Sequence, residues 1–185
     1  MPAAMNYKHI YHAGNFADVA KHVGLMYCLG ALQRKDGAMF VLDSHAGRGY
    51  YDLQAPEAHK SGEAERGIQR LIEAGIGEDV LAGYFAAIGA RRGKRLARYP
   101  GSPALIAGAL RTQDRALFVE LMPAEARAAE REIETLGRTR TEIGDGYDES
   151  RCGGRGRLIH AESGGFPAGH RRFNPIEAIG LDVEA

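Results

Sequence analysis

A polar segment with two glycines follows an early apolar run of the chain, Met39 to Leu42. It reads Asp43-Ser44-His45-Ala46-Gly47-Arg48-Gly49. Because glycine has no Cβ, the backbone here can approach a ligand closely, and a glycine-containing turn after a buried strand is typical of nucleotide-binding sheets. A tight strand-to-helix turn without a ligand is the alternative explanation. We favour the nucleotide site.

Two further polar groups follow later apolar runs. Glu120 comes at the end of Leu117 to Leu121, and its two carboxylate oxygens can accept both hydroxyl protons of a ribose. Asp145 and Gly146 follow Thr141 to Ile143 and could hold the edge of an adenine. Taken singly, a solvated strand end or an ordinary turn explains each of them as well. Since the ends of parallel strands share one edge of a sheet, the three together favour one nucleotide site.

The histidines near the start of the chain suggest a metal site as a second hypothesis. Asp18 and His22 are four residues apart and so share a helical face, with His9 and His12 nearby. Helix capping by Asp18 and ordinary hydrogen bonding by the histidines account for the same residues more simply. We therefore expect no metal.

The charge balance limits how the chain could contact a nucleic acid. Lys and Arg number 24 and Asp and Glu also number 24, so the formal net charge is zero. A nucleic-acid contact would need a local basic patch. The segment Arg91-Arg92-Gly93-Lys94-Arg95, with Arg98, is such a cluster. It is either a solvated helix face or a phosphate contact.

Helices must flank these strands if the polar groups are to meet. Asn15 can cap a helix, with Asp18 completing a capping box. The spacing of Phe16, Ala20, Val23 and Tyr27 predicts the buried face of that helix, which should end near Lys35 to Gly37. Further on, Ser102 and Pro103 predict the start of a second helix, with Ser102 as its cap. Pro123 predicts the start of a third, through Leu136.

The order of these elements predicts an α/β fold with a parallel, doubly wound sheet. Its strands are Met39 to Leu42, Leu117 to Leu121 and, more weakly, Thr141 to Ile143. Residues 54–98, rich in Ala, Glu and Arg, predict a helical insertion of two or three helices. After residue 150 the pattern fails, and 151–185 is a Gly/Arg-rich tail in which Leu158-Ile159 resembles a strand core.

Length and composition place the chain in an ordinary class. A chain of 185 residues, 44% hydrophobic and 26% charged, should form one folded domain. Cys28 and Cys152 have no paired spacing, which excludes a disulfide scaffold and a thiolate zinc site. No apolar run reaches the roughly 20 residues of a membrane span, and no signal pattern opens the sequence. We expect a cytoplasmic protein, a monomer without membrane contact.

Five separated motifs resemble one family, the bacterial 23S ribosomal RNA adenine-N6 methyltransferases of the RlmJ type. The motifs are Tyr7 and His9 with His12-Ala13-Gly14-Asn15, Ala17-Asp18-Val19 and Lys21-His22; Leu42 to Gly49; Tyr99-Pro100-Gly101-Ser102-Pro103; Glu120-Leu121-Met122-Pro123; and Asp145-Gly146. The resemblance runs from about Asn6 to Tyr147. It implies a Rossmann-like sheet, S-adenosylmethionine as cofactor and 23S ribosomal RNA as partner. By the same resemblance the cofactor contacts are His22, His45, Ser102, Glu120, Asp145 and Gly146, and Tyr7 lies against the RNA.

One family motif is missing from this sequence. After its fourth strand the family carries Asp-Pro-Pro-aromatic, which holds the exocyclic amine and stacks on the flipped adenine. Here Leu158-Ile159 is followed by His160-Ala161-Glu162, and the nearest imitation is Asn174-Pro175-Ile176. We therefore expect a cofactor-binding domain at 1–150, a divergent tail at 151–185, and a sheet truncated after its third or fourth strand. No catalytic residue is assigned.

The missing motif leaves three functions open. The first is a 23S ribosomal RNA adenine-N6 methyltransferase by descent, with little or no activity in this chain. The second is a non-catalytic fragment that binds S-adenosylmethionine. The third is a DNA adenine-N6 methyltransferase, which would need the same missing motif.

Overall fold

A four-stranded parallel sheet forms the centre of the computed structural model, which describes residues 8–75, 78–133, 137–147 and 158–162. The described strands are β1 (Phe40–His45), β2 (Tyr50–Asp52), β3 (Arg98–Pro100), β4 (Arg115–Glu120), β5 (Thr139–Ile143) and β6 (Leu158–Glu162). The central sheet has the order β5-β4-β1-β6, and all of its pairings are parallel. Two predictions are thereby confirmed, the α/β class and the parallel sheet.

Six α-helices accompany the strands in the described part of the chain. They are α1 (Phe16–Leu32), α2 (Pro56–Ser61), α3 (Arg70–Ala74), α4 (Glu78–Ala87), α5 (Ser102–Ala109) and α6 (Pro123–Glu132). A 3₁₀ turn at His9–Tyr11 precedes α1, and a π-helical turn at Glu65–Gln69 precedes α3. None of these helices is long and apolar enough to cross a membrane.

The main core lies between the sheet and three helices. Val41 of β1 and Phe118 of β4 are fully buried against Leu29 of α1, Ile106 of α5 and Ala129 of α6. Side chains alternate between the two faces of a strand, so these helices pack on a single face of the sheet. Their packing leaves the carboxyl ends of β1, β4 and β5 together at one edge.

A second core lies in the segment between β1 and α5. Here β2 and β3 pair antiparallel, with Tyr51 opposite Tyr99, and α2, α3 and α4 lie in the sequence between them. Tyr51, Ile68, Tyr84 and Tyr99 are buried in one cluster with Leu105 of α5. The β2–β3 pair was not predicted, because two three-residue strands that lie far apart in the sequence leave no local pattern.

The predicted buried face of α1 is wrong at Phe16, Ala20 and Tyr27, which are exposed, whereas Val23 is partly buried against the second core. Phe16 is 81% exposed and Tyr27 is 74% exposed, whereas Asp18, His22 and Leu29 are buried. Residue types suggested the opposite, because polar side chains normally lie on the solvent face. In the folded chain Asp18 and His22 have hydrogen-bond partners outside the helix, which allows their burial.

Two predicted caps and one strand boundary also need correction. Asn15 caps α1 by accepting the N–H of Asp18, as predicted, but the Asp18 carboxylate accepts from Gly14 and so does not complete a capping box. Ser102 is the first residue of α5, and its hydroxyl bonds to Asp43 where a cap was predicted. Strand β1 continues to His45, so Asp43 and Ser44 lie inside the strand.

Asp114 joins the residues that precede β4 to the residues that precede β1. Its buried carboxylate accepts hydrogen bonds from the backbone N–H of Met39 and from the backbone and guanidinium of Arg111. Burial alone would raise the pKa of Asp114, but these bonds outweigh it and lower the pKa to about 2. Arg111 also donates to three carbonyls of the loop after α1, so one pair of residues aligns both strands.

The replacement Asp114→Asn should lower the free energy of unfolding at pH 7 by about 1.5–3 kcal/mol, because a buried charged acceptor is lost. In the folded chain the pKa lies below its ordinary value of 3.8, so the stabilisation is complete above that value. It disappears as the pH falls towards about 2. Urea unfolding measured between pH 2 and 7 should show the unfolding free energies of the unaltered protein and of Asp114→Asn becoming equal at low pH. Glu130→Gln, a change at an exposed carboxylate, is the control. If the difference in unfolding free energy between the unaltered protein and Asp114→Asn stayed constant from pH 2 to 7, this role of the Asp114 carboxylate would be contradicted.

Candidate nucleotide-cofactor site

The end of β1 is fixed by a buried pair of polar side chains. The hydroxyl of Ser102, at the start of α5, donates to Oδ2 of Asp43 over 2.6 Å. Asp43 is fully buried, and its other oxygen accepts the N–H of His45 at 3.3 Å. The hydroxyl hydrogen of Ser102 is therefore already donated to a group of the protein itself. Only its oxygen lone pairs remain for a ligand.

Glu120 at the end of β4 holds the glycine-containing loop that follows β1. Its Oε2 accepts the N–H of Gly47 at 2.8 Å, and its Oε1 accepts the N–H of Met122 at 2.7 Å. The Ala46 N–H donates to the carbonyl of Val119 beside it. Gly47 has φ 67°, a left-handed conformation that favours glycine. The carboxylate thus lies between the two strand ends, with its orientation set by two backbone donors.

The same loop is tied to α6 by an ion pair. Arg48 donates from Nε and from its terminal nitrogen to the two oxygens of Glu125, at 2.6 and 2.8 Å. This bidentate bond is the main reason that the pKa of Arg48 is raised above its ordinary value. About two helical turns further along α6, Glu132 accepts a hydrogen bond from the backbone N–H of Tyr50. The loop therefore cannot move without breaking contacts to both β4 and α6.

The turn that follows β5 meets the end of β1 so closely at Gly146 that no side chain would fit there. A Cβ on Gly146 would lie 1.8 Å from the carbonyl oxygen of Ser44. Asp145 accepts the N–H of Tyr147, and the Tyr147 ring packs edge-on against His45 at 4.7 Å between centroids. Just before this turn, the Gly144 N–H donates to the Glu120 carbonyl.

Five of the six predicted cofactor residues therefore lie on strand ends or elements that are bonded to one another. They are His45, Ser102, Glu120, Asp145 and Gly146. The sixth, His22, lies in α1, and none of the described hydrogen bonds joins it to the strand ends. Its Nδ1 bonds to the hydroxyl of Tyr99 in β3. Tyr7, the predicted RNA contact, lies outside the described residues.

The acidic and histidine residues near α1 form hydrogen bonds with each other and with the backbone. Asp18 accepts from Nε2 of His9 at 2.9 Å and from the N–H of Gly14 at 3.2 Å. His12 and Asn15 both bond to the carboxylate of Glu63. Within the described ranges, no group of three or more His, Cys, Asp or Glu side chains could hold a metal ion.

The basic cluster follows α4 and ends at Arg98, the first residue of β3. Two of its members are engaged with acidic residues: Arg95 with Glu65, and Arg98 with Glu132 at 3.7 Å. Arg98 also lies over the ring of Tyr50, 4.6 Å from its centroid. Arg95 and Arg98 could therefore meet a phosphate only by giving up an existing contact.

Sequence reasoning missed Arg48, Glu125 and Tyr99 as supports of the site. Arg48 was visible as a charged residue between two glycines, but its partner lies 77 residues away. Tyr99 belongs to a motif of the family resemblance, yet nothing local marks its bond to His22. Such long-range pairs leave no periodic signal in a single sequence.

A parallel sheet whose polar strand ends meet beside a glycine loop defines a class of protein, the Rossmann-like nucleotide-binding α/β proteins. Comparison with known proteins narrows this class. The family model described as "RsmJ: Ribosomal RNA large subunit methyltransferase D, RlmJ" matches residues 36–155. The chain belongs to this family of methyltransferases, which confirms the predicted resemblance.

Two curated relatives are both named Ribosomal RNA large subunit methyltransferase J. The protein of Haemophilus influenzae is 43% identical over 123 residues, covering 65% of this chain and 44% of that protein. The protein of Escherichia coli K12 is 34% identical over 146 residues, covering 78% and 52%. The chain thus spans about half the length of the curated relatives that it matches.

A solved structure shares the fold. The crystal structure of protein LPL1258 from Legionella pneumophila is similar with a TM-score of 0.66 and 32% sequence identity. The similarity covers 76% of this chain and 52% of that one.

The close approach of Gly146 to β1 can be tested by adding a methyl group. Gly146→Ala would place a Cβ against the Ser44 carbonyl, so we expect a loss of about 1–3 kcal/mol in unfolding free energy. Gly24→Ala on α1 is the matched control, since its Cβ would meet nothing within 4 Å. In the control, stability should rise by about 0.5–1 kcal/mol, because Ala favours a helix over Gly. Thermal unfolding of both variants measures the difference, and equal stabilities would refute the packing.

Proposed function

We propose that this chain binds S-adenosylmethionine at the carboxyl edge of the sheet, for methylation of adenine N6 in 23S ribosomal RNA. The arrangement of Glu120 carries the proposal. Each of its oxygens accepts one backbone N–H, and each has a second lone pair that can accept a ribose hydroxyl. The carboxylate is therefore held in a fixed orientation between the loop after β1 and the end of β4.

The neighbouring residues fit the rest of such a cofactor. Asp145 and Gly146 lie beside the end of β1, where an adenine edge could bond to their polar atoms. His45, packed against Tyr147, lies at the same edge. When bound, S-adenosylmethionine supplies an electrophilic methyl group. The chain's own part is to bind and orient it, and by the family resemblance His22, Ser102 and the RNA-facing Tyr7 share in this task.

A second candidate function is cofactor binding without catalysis. Adenine N6 is a weak nucleophile, so the family needs its Asp-Pro-Pro-aromatic motif to orient the amine. The motif would belong at the carboxyl end of β6, where Ala161 pairs with Asp43 and Glu162 with His45. The 185-residue sequence contains no such motif. This observation favours cofactor binding without methyl transfer for this chain.

Titration calorimetry with S-adenosylmethionine and S-adenosylhomocysteine tests the cofactor site. Both compounds should bind the full chain, and Glu120→Ala should weaken them roughly ten- to hundredfold. The expected loss of one charge-assisted interaction is about 1.5–3 kcal/mol. Glu120→Gln keeps one acceptor oxygen and should weaken binding less, while the exposed Glu130→Ala should change nothing. Unchanged affinity in both Glu120 variants would remove this residue from the ribose role.

A methyl-transfer assay separates the two functions. The full chain, radiolabelled S-adenosylmethionine and unmodified 23S ribosomal RNA should give little or no labelled RNA. Losing even one preorganised polar group costs about 10²–10³ in rate. The E. coli relative serves as the positive control. Turnover close to that control would show that other residues replace the missing motif, and the non-catalytic interpretation would be wrong.

A further inference from the structure

A chain of three buried side chains links the inserted helices to α1. The hydroxyl of Tyr84 in α4 lies 2.9 Å from the hydroxyl of Tyr99 in β3. The Tyr99 hydroxyl in turn lies 2.9 Å from Nδ1 of His22 in α1. The three side chains are at most 3% exposed, and the His22 ring stacks on Tyr99 with 5.4 Å between centroids. We call this set the Tyr–Tyr–His chain.

The direction of hydrogen donation along the Tyr–Tyr–His chain follows from its ends. Within the described residues, the Tyr84 hydroxyl has only the Tyr99 hydroxyl as a hydrogen-bond partner. If His22 donated from Nδ1 and Tyr99 donated to Tyr84, the Tyr84 hydrogen would be buried without an acceptor, which is costly. If Tyr84 donates to Tyr99 and Tyr99 donates to Nδ1, every hydroxyl hydrogen has an acceptor. The second arrangement is therefore favoured.

The charge state of His22 agrees with this direction. Burial, together with the nearby positive charges of His9 and Lys21, lowers the pKa of His22 to about 4, against the opposing effect of Asp18. The ring is therefore neutral at pH 7 and carries one hydrogen. Since Nδ1 accepts from Tyr99, that hydrogen is on Nε2. None of the described residues accepts a hydrogen bond from Nε2.

We propose that Tyr84 and Tyr99 fix His22 in the tautomer with its hydrogen on Nε2, so that the ring offers this N–H to an acceptor atom of the bound cofactor. The cofactor part of this inference rests on the function proposed above. Tyr84 and Tyr99 are positioning residues, since they act through His22. The inserted helices thereby set the hydrogen-bonding character of a residue in α1.

Nitrogen-15 NMR of the histidine-labelled full chain at pH 7 tests the tautomer directly. Nδ1 of His22 should appear as an unprotonated acceptor and Nε2 as a protonated donor, with the His22→Gln variant assigning the signals. A hydrogen on Nδ1 would overturn the proposal. Because the tautomer is observed in the unaltered protein without ligand, the result does not depend on whether the cofactor binds.

Two tyrosine variants test the source of the tautomer. Tyr99→Phe removes the donor to Nδ1, so the pKa of His22 should rise by roughly one unit and the second tautomer should become populated. Tyr84→Phe should cause a smaller change in the same direction. Tyr27→Phe, which alters an exposed ring on α1, is the control and should change nothing. An unchanged His22 titration in both buried variants would overturn the proposal.

Calorimetry with S-adenosylhomocysteine tests the link to the cofactor. Tyr99→Phe should weaken binding about three- to tenfold relative to the unaltered chain, while Tyr27→Phe should bind normally. Equal affinity in Tyr99→Phe would overturn the cofactor part of the inference. Absence of binding to the unaltered chain would instead refute the proposed function, and the NMR result would still decide the tautomer.

Discussion

The candidate site depends on the hydrogen bond between the Gly47 N–H and the Glu120 carboxylate. This bond joins the loop after β1 to the end of β4, and a second bond from Met122 fixes the other carboxylate oxygen. An acceptor held in place before a ligand arrives loses little conformational entropy on binding. The polar ends of β1, β4 and β5 can therefore form one surface, because the strand that contributes the acid also holds the glycine loop.

The inserted helices are bound to the start of α1 as closely as two backbones allow. The N–H of Ile68 donates to the carbonyl of Gly14 at 2.9 Å, and a Cβ on Gly67 would lie only 2.2 Å from that oxygen. Glu63 adds bonds to His12 and Asn15, and these outweigh the effect of burial and lower its pKa. This docking brings the Tyr84 side of the insertion to α1, which explains how a segment far from the strand ends can act on His22.

Several parts of the fold could be predicted because their signals are local. The apolar runs of β1 and β4, the cap at Asn15 and the proline starts of α5 and α6 all depend on residues within a few positions of one another. Predicted boundaries were less accurate, as β1 continues to His45. Its last residues are polar, and Asp43 and Ser44 are buried there only because Ser102, Gly146 and the neighbouring strands surround them.

The sequence by itself determined the α/β class, the glycine loop and the acidic residue that ends β4, since each depends on the types of residues that are close together in the sequence. Only the tertiary structure decided which face of α1 is buried, because Asp18 and His22 can leave water only when His9 and Tyr99 are present to bond them. The same holds for the partner of Ser102 and for the pairing of Arg48 with Glu125. These contacts join residues that are far apart in the chain, and whether a polar side chain is exposed or buried depends on such partners.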